Sequence, residues 1–273
     1  MTENRFLIAG AGGRMGCAVI RAAVATPGVT LAGGIDRPDG PAIGSDLGPL
    51  AGLDAVGLRV TEIDKADFTN VSAIIDFSTP SASADLARRA ASNQTPIVIG
   101  STGFSADEEA IIKEASNDVA IVKSGNMSLG VNLLAALIQE AAKRLDPDDF
   151  DIEIIEAHHR AKVDAPSGTA LMLGEAAAVG RRVSLDDVAA HDRRGQRKVG
   201  DIGFAVVRGG GIIGEHEAVF ASDQEIIELK HKAIDRSLFA KGAIRAAIWL
   251  SQKWVTARQP GMYDMGHVLE FKN

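Results

Sequence analysis

Cysteine occurs once in the 273 residues, at Cys17, which rules out an intramolecular disulfide and any cysteine-based metal cluster and fits a reducing compartment. Aromatic residues make up only 4% of the chain, while Ala, Val, Ile and Gly abound, a balance common in sheets covered by closely packed helices. No uninterrupted apolar run reaches the roughly 18 residues that a membrane-spanning helix needs. The first residues lead directly into a strand, without a charged-then-apolar leader, so the expectation is a cytoplasmic protein with no membrane partner. Basic stripes are missing as well. With 29 Lys and Arg against 36 Asp and Glu, the formal charge of −7 argues against affinity for a nucleic-acid backbone. No repeat of fixed period and no low-complexity tract occurs. What is present is a hydrophobic content of 46%, enough at this length for one large or two modest domains.

The first half reads as strands alternating with helices. Phe6 to Ala9 is a short apolar strand, followed by Gly10, Gly12, Gly13, Arg14, Met15 and Gly16, and then by an Ala/Val-rich helix to about Ala25. Strand, glycine turn and helix form the arrangement in which a backbone approaches a pyrophosphate at a helix N-terminus. The spacing is G-x-x-G-x-x-G through Gly10, Gly13 and Gly16, with Gly12 added, because Met15 stands where a strict G-x-G-x-x-G needs its last glycine. The second strand, Val29 to Ile35, ends in Asp36 and Arg37, 20 residues beyond Gly16. An acidic residue there can accept hydrogen bonds from an adenosine ribose, and an arginine can pair with a 2′-phosphate, so NADH or NADPH is expected as cofactor, with the choice open.

Further strands are expected at Val71 to Phe77, Pro96 to Gly100 and Val119 to Lys123, with a shorter one near Leu58 to Val60. The rhythm implies a parallel sheet with both faces covered. Such sheets bind ligands at the carboxyl ends of their strands. Phe77, Gly100, Ser101, Thr102, Ser124, Gly125, Asn126 and Met127 all fall there and complete the candidate cofactor rim.

Beyond a helix from about Leu129 to Arg144 the style changes. Ile152 to Glu156 reads as a strand, and Ile202 to Arg208, Ile212 to Phe220 and Glu225 to His231 read as a meander joined by tight turns, together an antiparallel sheet of about four strands. His216 and His231 are expected to be structural or surface residues. The polar stretch Arg181 to Asp201 reads as loop with brief order. A final helix, from Ser237 to about Trp254, is expected to return to the first domain. The reading is therefore of a dinucleotide-binding domain, 1–127 completed by 238–273, with residues 128–237 inserted as a second domain.

The chemistry is concentrated in Glu156-Ala157-His158-His159-Arg160-Ala161-Lys162-Val163-Asp164-Ala165-Pro166-Ser167-Gly168-Thr169-Ala170. Two imidazoles, an arginine and a lysine are crowded onto a strand-to-helix loop, and Ser167 or Thr169 is a suitable N-cap for the helix that follows. Cationic side chains and a helix N-terminus together favour an anion, so a small carboxylate- or phosphate-bearing substrate is expected, with no metal ion.

These motifs, with Asn126 to Asn132, Ile202 to Phe204 and Gly214 to His216, resemble the dihydrodipicolinate reductase (4-hydroxy-tetrahydrodipicolinate reductase) family over nearly the whole chain. The resemblance implies a Rossmann-type parallel sheet domain with an inserted α+β substrate and oligomerisation domain. It also implies NAD(P)H-dependent reduction, with dehydration, of a cyclic imine dicarboxylate in diaminopimelate and lysine biosynthesis, and a homotetramer. It assigns His158 as acid/base, Lys162 as proton donor, and His159, Ser167, Gly168 and Thr169 to the substrate carboxylates. The family often has His where Ala161 stands and Thr where Ser101 stands. Two other readings are another imine or amino-acid dehydrogenase, such as an aspartate dehydrogenase, and a non-catalytic NAD(P)-sensing regulator.

Overall fold

Seven short strands, most of them rich in β-branched and aliphatic residues, assemble the first sheet of the protein, for which a computed structural model describes residues 4–192 and 194–271. Contacts divide the chain into two units, Met1–Ser128 with Ser237–Asn273, and Leu129–Arg236.

In the first unit, β1 (Asn4–Ala9), β2 (Val29–Ile35), β3 (Val60–Thr61), β4 (Ala73–Asp76), β5 (Ile97–Ile99) and β6 (Ala120–Lys123) are joined by the strand Gly261–Tyr263. The order is Gly261–Tyr263, β6, β5, β4, β1, β2, β3, and every pairing is parallel. Strand order reverses between β1 and β4, the switch point at which doubly wound sheets open a crevice at their carboxyl ends. Phe6, Ile8, Ile74, Ile75, Ile97, Ile99 and Ile121 are fully buried, each contributing about 1.5–3 kcal/mol relative to exposure. The helix Ser237–Ala257 packs on this sheet. Its Gly242 meets the chain so closely that a Cβ there would lie 1.7 Å from the Met127 carbonyl oxygen. Trp254 Nε1 donates to the Gln94 carbonyl at 3.0 Å, and Ser251 Oγ to Asn4 Oδ1 at 2.8 Å. Gly261–Tyr263 then extends the sheet by pairing with β6, a strand the sequence reading did not assign.

The second unit is built on β7 (Asp151–His158), β8 (Ala189–Ala190), β9 (Ile202–Arg208), β10 (Glu215–Ala221) and β11 (Ile226–Lys232), in the order β11, β10, β7, β9, β8. The expected antiparallel meander is corrected here. β9 and β10 run in opposite directions but are not neighbours, because β7 lies between them, antiparallel to β10 and parallel to β9. The Gly209–Gly214 connection cannot be a hairpin: it crosses the end of β7, where Gly209 N–H donates to the His158 carbonyl at 2.9 Å. A parallel partner for β7 requires a long crossover, and the helix Gly168–Arg181 with the short β8 supplies it. β10 and β11 form a true hairpin, closed by the turn in which Ser222 N–H donates to the Glu225 carbonyl at 2.9 Å.

Helices Leu129–Arg144 and Gly168–Arg181 bury Leu134, Ile138, Leu173 and Ala177 against Ile152, Ile154, Phe204 and Phe220 of the sheet. The stretch 181–201 is tied down by two arginines. Arg197 pairs with Asp151 at 2.7 Å and with Glu153, and donates to the Ile152 carbonyl at 2.9 Å, while Arg181 donates to the Phe150 and Gly200 carbonyls. No helix among the described residues is long and apolar enough to cross a membrane.

Candidate active site

At the carboxyl ends of β1, β2 and β4 the first unit opens a cleft of about 410 Å³, lined by Gly10, Gly12, Gly13, Asp36, Arg37 and Phe77 among others. The turn after β1 depends on missing side chains. Gly10 has φ +70°, and a Cβ on it would lie 2.6 Å from the Phe77 carbonyl oxygen. A Cβ on Gly12 would lie 2.5 Å from Ala42 Cβ and 2.7 Å from Asp36 Oδ2. Helix Arg14–Val24 starts at Gly13 with no side-chain cap, so its first-turn N–H groups keep their capacity for an anion. Asp36 accepts from Gly12 N–H at 2.6 Å and Arg37 N–H at 2.7 Å, which fixes its carboxylate at the mouth of the cradle beside the exposed Arg37. Residues 38–63 contribute Pro38, Pro41, Ala42 and Ile63, which with Ala82 and Leu86 make an apolar wall. Sequence reasoning missed this wall, because the excursion after β2 carries no periodicity.

Room for a backbone to approach phosphates, an uncapped helix start, an acid suited to ribose hydroxyls and an apolar wall for a flat base fit a dinucleotide. Gly16 is buried in the first turn of the helix, with Arg14 exposed and Met15 half-buried beside it. The other rim positions are placed differently. Phe77 packs its ring where a Gly100 Cβ would be, 2.2 Å away. Ser101 turns its hydroxyl inward, accepting from Ser83 Oγ at 2.9 Å, while Thr102 is exposed. Ser124 Oγ donates to the Asn126 carbonyl at 2.9 Å, Gly125 is exposed, and Met127 is buried in the core. Beneath the rim Asp76 is fully buried, and burial pushes its carboxyl above the usual range.

In the second unit β7 continues to His158, so this imidazole stands on the strand rather than on the loop that the sequence suggested. Alternation along β7 turns Ile152, Ile154, Glu156 and His158 to the buried face. Glu156 is 1% exposed and gathers four donors. Arg208 forks onto both oxygens at 2.7 Å each, His158 Nδ1 lies 2.6 Å from Oε2, and Ser167 N–H donates to Oε1 at 2.9 Å. Burial pushes the Glu156 carboxyl up, but the hydrogen bonds from Arg208, His158 and Ser167 outweigh it and hold it at about 2.

His216, opposite Glu156 in the β10–β7 register, sets its ring edge-on to His158 with centroids 5.1 Å apart. Its Nε2 lies 3.3 Å from Ser167 Oγ. Burial, and then the positive charge of His158, lower its pKa to about 4. Ser167 is the N-cap, accepting from Ala170 N–H at 3.1 Å, and Gly168 and Thr169 open the helix behind it. On the loop, Lys162 Nζ pairs with Asp164 Oδ1 at 2.8 Å, and Lys162 N–H donates to the His159 carbonyl at 3.1 Å.

The structure thus groups His158 and Ser167 with Glu156, Arg208 and His216, three residues that sequence reasoning had not assigned to the site. Of the two places expected for His216, structural or surface, the surface is excluded: it is 4% exposed and a neighbour of His158. His231, opposite His216 on β11, is half-buried.

A doubly wound parallel sheet with a glycine cradle at its switch point, joined in one chain to a second unit with a histidine–carboxylate cluster, defines an NAD(P)-dependent oxidoreductase. The family description "Dihydrodipicolinate reductase, N-terminus" matches residues 4–127, and "Dihydrodipicolinate reductase, C-terminus" matches residues 130–269. The chain belongs to the dihydrodipicolinate reductase family. It is 49% identical to the 4-hydroxy-tetrahydrodipicolinate reductase of Rhodopseudomonas palustris (strain BisA53), over 100% of this chain and 99% of the relative. It is 51% identical to that of Parvibaculum lavamentivorans, over 98% of each. Among solved structures, a dipicolinate-bound dihydrodipicolinate reductase from Paenisporosarcina sp. TG-14 shares the fold with a TM-score of 0.75 at 20% identity, covering 96% of this chain and 97% of the other.

Proposed function

We propose that the protein reduces 4-hydroxy-tetrahydrodipicolinate to tetrahydrodipicolinate with NADH or NADPH, releasing water, as a step of diaminopimelate and lysine biosynthesis in the cytoplasm. The observation that carries the substrate is the identity of about half of all positions, end to end, with reductases of that name.

The cleft of the first unit holds the dinucleotide through Gly10, Gly12, Gly13 and the helix start at Arg14, Met15 and Gly16, with Asp36 and Arg37 at the adenosine ribose. Phe77, Gly100, Ser101, Thr102 and Ser124 to Met127 form the remainder of the rim. When bound, the reduced nicotinamide supplies a hydride. The second unit binds the substrate: the Gly168 and Thr169 N–H groups at the positive end of the helix dipole, with Ser167 and His159, receive the carboxylates. Lys162 delivers the proton that the ring nitrogen requires as negative charge develops there, and His158 is the acid/base of the site.

A homotetramer forms through the sheet of the second unit, where Val206, Val207 and Ile226 are 38%, 49% and 63% exposed. Sedimentation velocity checks this, and a monomer at micromolar concentration would refute it.

Turnover is followed by loss of nicotinamide absorbance with freshly made synthase product and each cofactor in turn. His158→Ala and Lys162→Ala lower kcat by about 10²–10⁴ with NAD(P)H affinity kept. Loss of cofactor binding with turnover retained would reverse the assignment, and turnover of L-aspartate with NAD instead would identify a different dehydrogenase.

A further inference from the structure

We infer that Glu156 is the positioning residue of the site: it holds His158 with Nδ1 as the hydrogen donor, leaving Nε2 as the nitrogen that exchanges a proton, and anchors the start of the substrate-binding helix. The inference rests on the reading of His158 as the acid/base and says which atom acts and what holds it.

The geometry is over-determined. Oε2 receives His158 Nδ1 at 2.6 Å and Arg208 Nη1 at 2.7 Å, and Oε1 receives Arg208 Nη2 at 2.7 Å and Ser167 N–H at 2.9 Å. These donors come from the end of β7, the end of β9 and the N-cap of helix Gly168–Arg181. A buried carboxylate with a forked guanidinium and two further donors stays ionised, consistent with its depressed pKa. An ionised carboxylate can only accept. The hydrogen in the 2.6 Å contact therefore belongs to His158 Nδ1 in both charge states of the ring, and the proton that comes and goes sits on Nε2. This is the less favoured tautomer of a free neutral histidine, so it has to be imposed.

Gly214 faces Nε2, and a Cβ there would stand 3.1 Å from that nitrogen. Arg208 has a second role, donating to the Asp164 carbonyl at 2.6 Å, which ties the Lys162-bearing loop to the same carboxylate. An ion pair kept only for stability needs neither the imidazole nor the helix start, and apolar residues of similar volume often replace such pairs without loss.

The test is a long-range ¹H–¹⁵N correlation spectrum of histidine-labelled protein at pH 8, with His158 assigned by loss of its signals in His158→Asn. Wild type is expected to show His158 protonated at Nδ1 and bare at Nε2. Glu156→Gln loses this preference and lowers kcat about 10²-fold or more, with NAD(P)H affinity unchanged. Glu156→Asp does not restore the rate, because a carboxylate one methylene shorter cannot reach all four donors. A wild-type His158 protonated at Nε2 instead would overturn the inference, as would a Glu156→Gln enzyme within about threefold of the wild-type kcat. Should Glu156→Gln fail to fold, the wild-type spectrum decides alone. Should the protein not reduce the cyclic imine diacid, the spectrum still reports the Glu156–His158 bond, so the two failures are told apart.

Discussion

Acidification should loosen the second unit through His216 before any carboxylate contributes. This ring is 4% exposed, and burial, followed by the positive charge of His158, sets its pKa at about 4 against 6.5 for the free side chain. Lys162 and His231 act in the same direction as His158, and Glu156 opposes them. The unfolded chain therefore binds a proton between these two values that the folded chain refuses. Stability is complete above pH 6.5 and falls as pH drops toward 4, with a limiting slope of about 1.4 kcal/mol per pH unit. Between pH 7.5 and pH 5 the two proton-binding curves separate by about 2 kcal/mol. Glu156 does not confuse this window: held at about 2, its stabilisation is present above 4.5 and lost only as pH falls below that. The measurement is urea unfolding of wild type and His216→Asn at both pH values, with hydrogen exchange of the Glu215–Ala221 amides as the readout specific to this unit. The stability gap between wild type and variant should narrow by about 2 kcal/mol at pH 5. A gap constant to within about 0.5 kcal/mol would show that His216 is protonated in the fold as readily as in water.

Gly12→Ala places a Cβ 2.5 Å from Ala42 Cβ and 2.7 Å from Asp36 Oδ2. It should weaken NAD(P)H binding at least about tenfold, or about 1.4 kcal/mol, by calorimetric titration, with the circular dichroism spectrum unchanged. Arg37→Ala should shift the ratio of kcat/KM values about tenfold from NADPH toward NADH, since a 2′-phosphate is the group a guanidinium pairs with best. Gly242→Ala drives a methyl to 1.7 Å from the Met127 carbonyl oxygen and should cost about 2 kcal/mol, seen as a Tm lower by about 5 °C in a thermal melt.

The first unit was legible because its signals are local. A strand, a glycine turn and an uncapped helix lie consecutively in the chain, and Asp36 with Arg37 ends the next strand, so neighbours in sequence are neighbours in the cleft. The second unit broke that correspondence. Ile202 to Arg208 and Glu215 to Ala221 flank a glycine-rich turn, which argues for a hairpin, yet β7 is inserted between them from 50 residues earlier. Nothing local marks such an insertion, since parallel pairing depends on which helix covers the crossover. The apolar wall of the cleft was hidden for a related reason, because Pro41, Ala42 and Ile63 come from a segment whose shape is set by turns rather than by repeating apolar spacing.

The residues at the centre of the histidine cluster did leave a trace, in parity. In Ile152-Glu153-Ile154-Ile155-Glu156 the two glutamates look like the polar side of one strand, but they are three residues apart, and side chains on a strand share a face only at even separations. One of the two must point inward. Glu156 shares parity with Ile152, Ile154 and His158, which places it on the core face beside the imidazole, while Glu153 turns to the other face and meets Arg197. A carboxylate on a core face demands a cation or several donors. The register places Arg208 opposite His158 and His216 opposite Glu156. The inward carboxylate, and hence the need for a guanidinium to hold it ionised against His158, follows from counting residues along one strand. Which arginine answers that need follows only from the parallel pairing of β7 with β9, and that pairing is non-local.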